Sequence, residues 1–127
     1  MSFPYTLATF TIANGAAVSN PIFIADGELV GIVMDPTAWT TAALTFLASV
    51  DGTNFYPMYD GSDTLIEVAA PAAATYIAIG DEAHISFAHF RGVQYLELQS
   101  GVPGTTVNQG AARVLIGVIR KTTTGTF

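Results

Sequence analysis

The chain has 127 residues, of which 50% are apolar and only 11% are charged, and its formal net charge is −6. This acidic balance argues against nucleic acid as a partner, because affinity for a polyphosphate requires clustered cations. The absence of cysteine excludes disulfides and thiolate metal sites, and no apolar run reaches the roughly 18 residues that cross a membrane.

Short apolar segments separated by turn residues predict β-strands along the whole chain. In the first half, Asn14-Gly15 and Asp51-Gly52 are strong turn dipeptides. In the first strand, alternation predicts that Ala8, Phe10 and Ile12 share the buried face. In the strand after residue 27, it predicts that Val30, Ile32 and Met34 form the buried row. The strands predicted in this half cover residues 7–13, 22–24, 28–34, 44–50 and 55–59.

The second half of the chain continues the same pattern and ends in an unusual strand. Residues 69–74 are five alanines and a proline, too short a run to nucleate a helix, and they predict a surface connection. The last strand contains Val-Leu-Ile-Gly-Val-Ile-Arg at 114–120, which is apolar on both faces. The strands predicted here cover residues 65–68, 75–79, 85–87, 93–99 and 111–121.

Eight to ten short strands without a substantial helix predict an all-β fold, an antiparallel β-sandwich of the jelly-roll type. An immunoglobulin-like sandwich is the alternative, although the cysteine pair of true immunoglobulin domains is missing. We expect one domain over residues 1–127, with 1–5 and 122–127 as flexible or partner-contacting termini. The first residues do not have a basic segment followed by an apolar one, so we expect synthesis in the cytoplasm.

No residue pattern predicts a catalytic, cofactor or metal site. Asp-Gly turns at 51–54 and 60–63 contain oxygen ligands that suit calcium, but neither run has the spacing of an EF-hand. His84 and His89 are five residues apart, so on a strand they would point to opposite faces. We therefore expect a protein that is not an enzyme and uses no cofactor.

Aromatic side chains suggest an alternative function, a carbohydrate-binding module of a phage or bacterial surface protein. Trp39, Tyr56 and Tyr59 are the candidate residues. Such rings stack on sugars because their faces are apolar while their polar edges remain hydrated. A lone tryptophan is more often a core or interface anchor, so the sequence leaves both interpretations open.

Association with copies of the same chain is the property that the composition favours most. Low charge and a strand that is apolar on both faces predict an exposed apolar patch that a homo-oligomer would cover. The basic pair Arg120-Lys121 would suit an acidic partner surface. The residues predicted at an oligomer or capsid interface are Ile77, Ile79, Leu115, Ile119, Arg120, Lys121 and Phe127.

A loose pattern extends over roughly residues 10 to 120. It includes a tryptophan loop at 35–40, a strand ending in Ser49-Val50-Asp51-Gly52, and the aromatic Phe55. The later segment 90–101 and the closing strand also fit. This pattern resembles small β-sandwich head decoration, or cement, proteins of tailed bacteriophages. The resemblance implies a virion protein made in the host cytoplasm, often a homotrimer, that binds the major capsid protein on the capsid surface and stabilises the head.

Overall fold

The computed structural model of the chain describes residues 5–25, 27–80 and 85–121. Within these ranges, the chain forms two antiparallel β-sheets packed together and one short 3-10 helix, which confirms the predicted β-sandwich. The same ranges contain no helix long and apolar enough to span a membrane. The elements are β1 (Tyr5–Ile12), β2 (Ile22–Phe23), β3 (Gly27–Val33), β4 (Leu44–Ser49), β5 (Tyr56–Pro57), β6 (Glu67–Val68), β7 (Tyr76–Ala78), η1 (Phe87–Phe90), β8 (Tyr95–Val102), β9 (Thr105–Thr106) and β10 (Arg113–Lys121).

The strand order is that of a jelly roll. The first sheet has the order β1-β10-β3-β7, and the second has β2-β8-β4-β5, with the two-residue strands β6 and β9 added at the side. The main strands therefore pair in a nested way, β1 with β10, β2 with β8, β3 with β7 and β4 with β5. An immunoglobulin sandwich places its first two strands side by side in one sheet. Here β1 and β2 lie in different sheets, so that alternative is wrong.

The core lies between the two sheets and is built from alternate residues of their strands. On β1 the predicted inner row of Ala8, Phe10 and Ile12 is buried, while Thr9 and Thr11 face solvent. On the second sheet, Phe46 of β4 packs edge-on against Phe90 of η1, with ring centroids 5.1 Å apart. Period-two alternation therefore accounts for which side of these strands is buried.

A β-bulge changes the buried row predicted for β3. The pairing register with β10 shifts between Val118 and Ile119, because Val30 is an extra residue in β3. Leu29 and Ile32 are consequently both buried, whereas Val30 is only partly buried. The predicted row of Val30, Ile32 and Met34 is thus wrong at Val30, since alternation alone does not reveal an inserted residue.

The segment predicted as a strand at residues 85–87 leads instead into η1. Ser86 caps this 3-10 helix: its hydroxyl accepts a hydrogen bond from the Ala88 N–H at 3.2 Å. The His89 Nδ1 atom accepts one from the Ser86 N–H at 3.1 Å. A serine followed three residues later by a side chain that reaches back forms a capping box, and this local pairing competes successfully with strand formation.

Candidate functional site

The candidate surface is the side of the first sheet that faces away from the core. The strand register places the side chains facing away from the core in rows that run across the sheet. We call this surface the outer face. It comprises Leu7, Val118, Gly31 and Ala78 in one row, Thr9, Ile116, Val33 and Tyr76 in the next, and Thr11 with Val114 beyond them.

Apolar side chains on the outer face are accessible to solvent. Leu7 is 73% exposed, Tyr76 58% and Val114 41%. Ile116 and Val118 are each partly buried between their neighbours. Scattered exposed apolar residues are normal on proteins, but adjacent ones in paired strands form a continuous patch.

A shallow concavity continues the outer face toward the loop after β3. Its floor includes Ile116 and Val114, and Asp35 lies at its side. The Asp35 carboxylate is buried and accepts hydrogen bonds from the Val114 N–H at 2.8 Å and the Thr37 N–H at 2.7 Å. Burial alone would raise the pKa of Asp35, but the hydrogen bonds from Val114 and Thr37 outweigh it and lower that pKa. This carboxylate is therefore committed to joining the loop to β10.

The outward side of the second sheet combines polar groups with the aromatic pair of Phe23 and Tyr95, whose ring centroids are 5.1 Å apart. Gln99 and Thr45 are neighbours there, and the Thr45 hydroxyl is 3.1 Å from the Gln99 Oε1 atom and 2.7 Å from the Gly101 carbonyl oxygen. Glu97 lies opposite Leu47 in the next row, and burial raises the pKa of its carboxyl. Thr45 and Gln99 are both buried, and the Thr45 hydroxyl has its acceptors within the chain.

A buried carboxylate between two arginines closes one end of the first sheet. Glu28 is 1% exposed, and its Oε2 atom accepts a hydrogen bond from Arg91 Nε at 2.8 Å. Its Oε1 atom accepts one from Arg120 Nε at 2.9 Å. Both guanidinium groups stack on Phe87, with Cζ atoms 4.9 Å from the ring centroid for Arg120 and 5.7 Å for Arg91. Burial would raise the pKa of Glu28, but the hydrogen bonds and charges of Arg120 and Arg91 outweigh it and lower that pKa.

This cluster corrects the predicted use of the basic residues. Arg120 was expected to offer positive charge to a partner, yet it is paired with Glu28 inside one copy. Arg113 is buried at the opposite end of β10, where its Nε donates to the Gln109 Oε1 atom at 3.0 Å. The arginines of β10 are therefore structural. Of the predicted basic pair, Lys121 is exposed, and it forms no ion pair with any described residue.

The apolar residues predicted at an interface are mostly in the core. Ile79, Leu115 and Ile119 are buried between the sheets, and Ile77 packs against the same core. They cannot form an exposed interface, because the outward row of β10 is Val114, Ile116 and Val118. The prediction that β10 is apolar on both faces is correct. The β10 residues predicted at the interface, Leu115 and Ile119, nevertheless face the core. Phe127 lies outside the described residues.

The aromatic residues of the carbohydrate alternative are not equally accessible. Trp39 packs partly against the core, and its Nε1 atom donates a hydrogen bond to the Ala42 carbonyl oxygen at 3.1 Å. Tyr56 is 64% exposed and Tyr59 47%. Trp39 therefore acts as an anchor of the loop before β4, and the two tyrosines retain exposed rings.

The two Asp-Gly turns use their carboxylates internally. Asp51 Oδ1 accepts hydrogen bonds from the N–H groups of Asn54 at 2.9 Å and Thr53 at 2.8 Å, and these bonds lower the pKa of Asp51. Asp60 Oδ1 accepts likewise from the N–H groups of Ser62 and Thr64. Across residues 5–25, 27–80 and 85–121, no cluster of acidic groups or histidines could hold a metal. His84 lies outside the described residues.

Comparisons with known proteins return nothing similar to this chain. No family model matches it, and neither a curated protein nor a solved structure matches it significantly.

Proposed function

We propose that this protein is a non-enzymatic structural subunit of a virus particle. In this proposal it decorates the capsid of a tailed phage, binds the major capsid protein through the outer face, and thereby stabilises the head. The setting comes from the sequence resemblance, which also implies three copies in a closed homo-oligomer. The observation that carries the proposal is the apolar outer face itself, with Leu7, Tyr76 and Val114 exposed on three strands of one sheet.

Physical chemistry supports a role in assembly for such a surface. Burial of apolar area is the main favourable term in most protein association, and it acts without a directional chemical group. The low charge of the chain, 11% of residues, also reduces the cost of removing water from the surface. Several copies held together would each contribute a weak contact to the shell, so that attachment becomes stable through multivalency.

The jelly-roll order is compatible with this role. Jelly rolls occur in viral capsid proteins and also in lectins and cupins, so the fold alone does not select one function. The outer face favours assembly over sugar binding, because a sheet face without convergent polar groups lacks the directional hydrogen bonds that orient a sugar.

The experiment is attachment to heads from which the protein is missing. Heads produced after deletion of the gene are mixed with purified protein and sedimented. We expect wild-type protein to sediment with the heads and to raise the temperature at which they release DNA. The proposal fails if the wild-type protein stays in the supernatant.

A matched pair of variants tests whether the outer face is the surface that attaches. The face variant is Tyr76→Ser with Val114→Ser, and the control variant is Tyr56→Ser with Val50→Ser, which lie beside the second sheet. Each pair removes one exposed tyrosine and one exposed valine. We expect head affinity to fall about tenfold or more for the face variant, a loss of about 1.4 kcal/mol or more, and to be unchanged for the control. Equal affinity of the two variants would contradict this assignment.

A further inference from the structure

The first sheet has an open edge at β1. Among the described residues, β1 pairs with β10 on one side, and only its C-terminal half is closed on the other side, by Ser19 and Asn20. The Thr11 N–H donates to Asn20 Oδ1 at 2.7 Å, and the Asn20 N–H donates to the Thr11 carbonyl oxygen at 3.3 Å. Asn20 Nδ2 also donates to the Thr9 carbonyl oxygen at 3.4 Å.

Strand alternation shows which other backbone groups point to this edge. The N–H and C=O of Thr11 are directed away from β10, so those of Thr9, Leu7 and Tyr5 are as well. In the described part of the chain, nothing outside β1 bonds to the edge groups of Leu7 and Tyr5. The N-terminal half of β1 therefore offers a row of unpaired donors and acceptors.

This edge has none of the features that normally prevent pairing with another chain. Edge strands are usually protected by charged residues, proline or a bulge. The sequence of β1 is Tyr-Thr-Leu-Ala-Thr-Phe-Thr-Ile, without charge or proline, and its register with β10 is unbroken. Leu7, at the centre of the open half, is 73% exposed.

A groove lies beside the open half of this edge. At Asn20 the chain runs beside Thr11 of β1. It then leaves β1 and enters the second sheet as β2. The space between them has a volume of about 420 Å³ and is mainly apolar. It is lined by β1 residues 6–9, by residues 22–25, and by Gly27, Ile119 and Lys121. The side chains that a second β1 would direct into it are Thr6 and Ala8, which are small.

We propose that two copies of this chain associate by pairing β1 with β1 of the second copy around a two-fold axis. The register follows from the open positions. Thr11 is already bonded to Asn20, so the symmetric antiparallel pairing is centred on Leu7, which lies opposite Leu7 of the second copy. Tyr5 of each copy then lies opposite Thr9 of the other copy, so this pair occurs twice. This arrangement forms about six backbone hydrogen bonds, in which the Thr9 carbonyl oxygen, already in contact with Asn20 Nδ2, accepts through its second lone pair. It joins the two first sheets into one continuous sheet.

The geometry of this contact bears on the proposed function. The two-fold axis of an antiparallel strand pair is perpendicular to the sheet, so both outer faces are on the same side. The two Leu7 side chains meet at the centre, and the apolar surface that faces the capsid is doubled. This consequence depends on the proposed function, whereas the edge contact itself does not. A two-fold contact gives an even number of copies, whereas the resemblance implies three.

A charge-swap pair of variants tests the contact and its register. Tyr5→Lys with Thr9→Lys places like charges opposite each other across the axis, and Tyr5→Glu with Thr9→Lys places opposite charges there. Both positions are exposed, so both variants are expected to fold, as circular dichroism would verify. By sedimentation at micromolar concentration we expect wild type and the Glu/Lys variant at an even multiple of the 13.3 kDa chain mass. We expect the Lys/Lys variant to be monomeric.

A second pair of variants tests the backbone directly and serves if the charged variants do not fold. Leu7→Pro removes an N–H that β10 does not use, so it blocks the edge while sparing the ladder. Leu7→Ser removes the same side chain and keeps the N–H. We expect the Leu7→Pro protein to be monomeric and the Leu7→Ser protein to remain paired.

The edge contact is overturned if wild type is a monomer or a trimer, or if the two charge variants have the same mass. Attachment to heads is measured separately. A trimer that attaches to heads would refute the edge contact alone, whereas a β1-paired dimer that does not attach would refute the proposed function alone.

Discussion

The outward sides of the two sheets differ although their inward sides follow the same rule. On the second sheet, the Thr45 hydroxyl has acceptors within the chain, and the exposed Phe23 ring packs against Tyr95. On the first sheet, Tyr76 and Val114 lie exposed beside partly buried Ile116, and apolar groups gain nothing from water. Alternating inward side chains form the core that the two sheets share. The side chains at the outward positions determine whether each sheet is suited to contact another molecule.

The largest effect expected from a single substitution is in the core that both sheets share. Phe46→Ala leaves a cavity beneath Phe90, because the surrounding sheets relax only partly. We expect the free energy of unfolding to fall by about 3–5 kcal/mol. Urea denaturation followed by circular dichroism measures this. If the free energy of unfolding fell only as little as it does for substitution of an exposed residue, the sheets would not pack as described.

A smaller effect is expected at the end of the first sheet, where Glu28 is buried between Arg91 and Arg120. Glu28→Gln leaves two guanidinium groups without their carboxylate. We expect a loss of about 3 kcal/mol in the free energy of unfolding. Glu97→Gln on the second sheet is the control and should change stability by less than about 0.5 kcal/mol. Equal losses would show that the arginine cluster is not structural.

The same two carboxylates are expected to respond oppositely to acid. The pKa of Glu28 is lowered in the folded state, so its contribution is complete above the ordinary glutamate pKa and is lost as the pH falls through the lowered value. The pKa of Glu97 is raised, so protonation on acidification favours the folded state there. The stability difference between wild type and Glu28→Gln should therefore shrink as the pH is lowered from neutral, as denaturation curves would show. A constant difference would contradict the assignment.

A still smaller effect on stability is expected on the outer face, together with a clear change in surface chemistry. The face variant, Tyr76→Ser with Val114→Ser, should alter the free energy of unfolding by roughly 0.5 kcal/mol, because both side chains are exposed. An apolar fluorescent dye such as anilinonaphthalene sulfonate should bind it more weakly than the Tyr56→Ser, Val50→Ser control. Identical dye binding by the two variants would show that the outer face of the first sheet is no more apolar than the surface beside the second sheet.

The smallest effect is expected from sugars. Trp39 is anchored to Ala42 and the core, so glycans should leave its fluorescence unchanged in wild type. Removing the exposed rings with Tyr56→Ser and Tyr59→Ser should not alter this result. Quenching of Trp39 by a glycan, lost in that double variant, would revive the carbohydrate-binding alternative.

Local sequence patterns predicted much of this fold and less of its surface. Alternation identified the buried row of β1 and the strand character of β10, because both strands follow period two without interruption. It failed at Val30, where the bulge depends on pairing with β10. It also failed at residues 85–87, where Ser86 and His89 form the capping box of a 3-10 helix. The burial of Leu115 and Ile119 depends on which side of β10 meets the second sheet, and one strand alone does not contain that information.

The claim that this protein works by assembling with copies of itself is tested most directly by its mass in solution. Sedimentation equilibrium of the wild-type chain over a concentration series centred on the micromolar range provides it. We predict a stable multiple of the 13.3 kDa chain mass. A mass of one chain at every concentration would contradict this account.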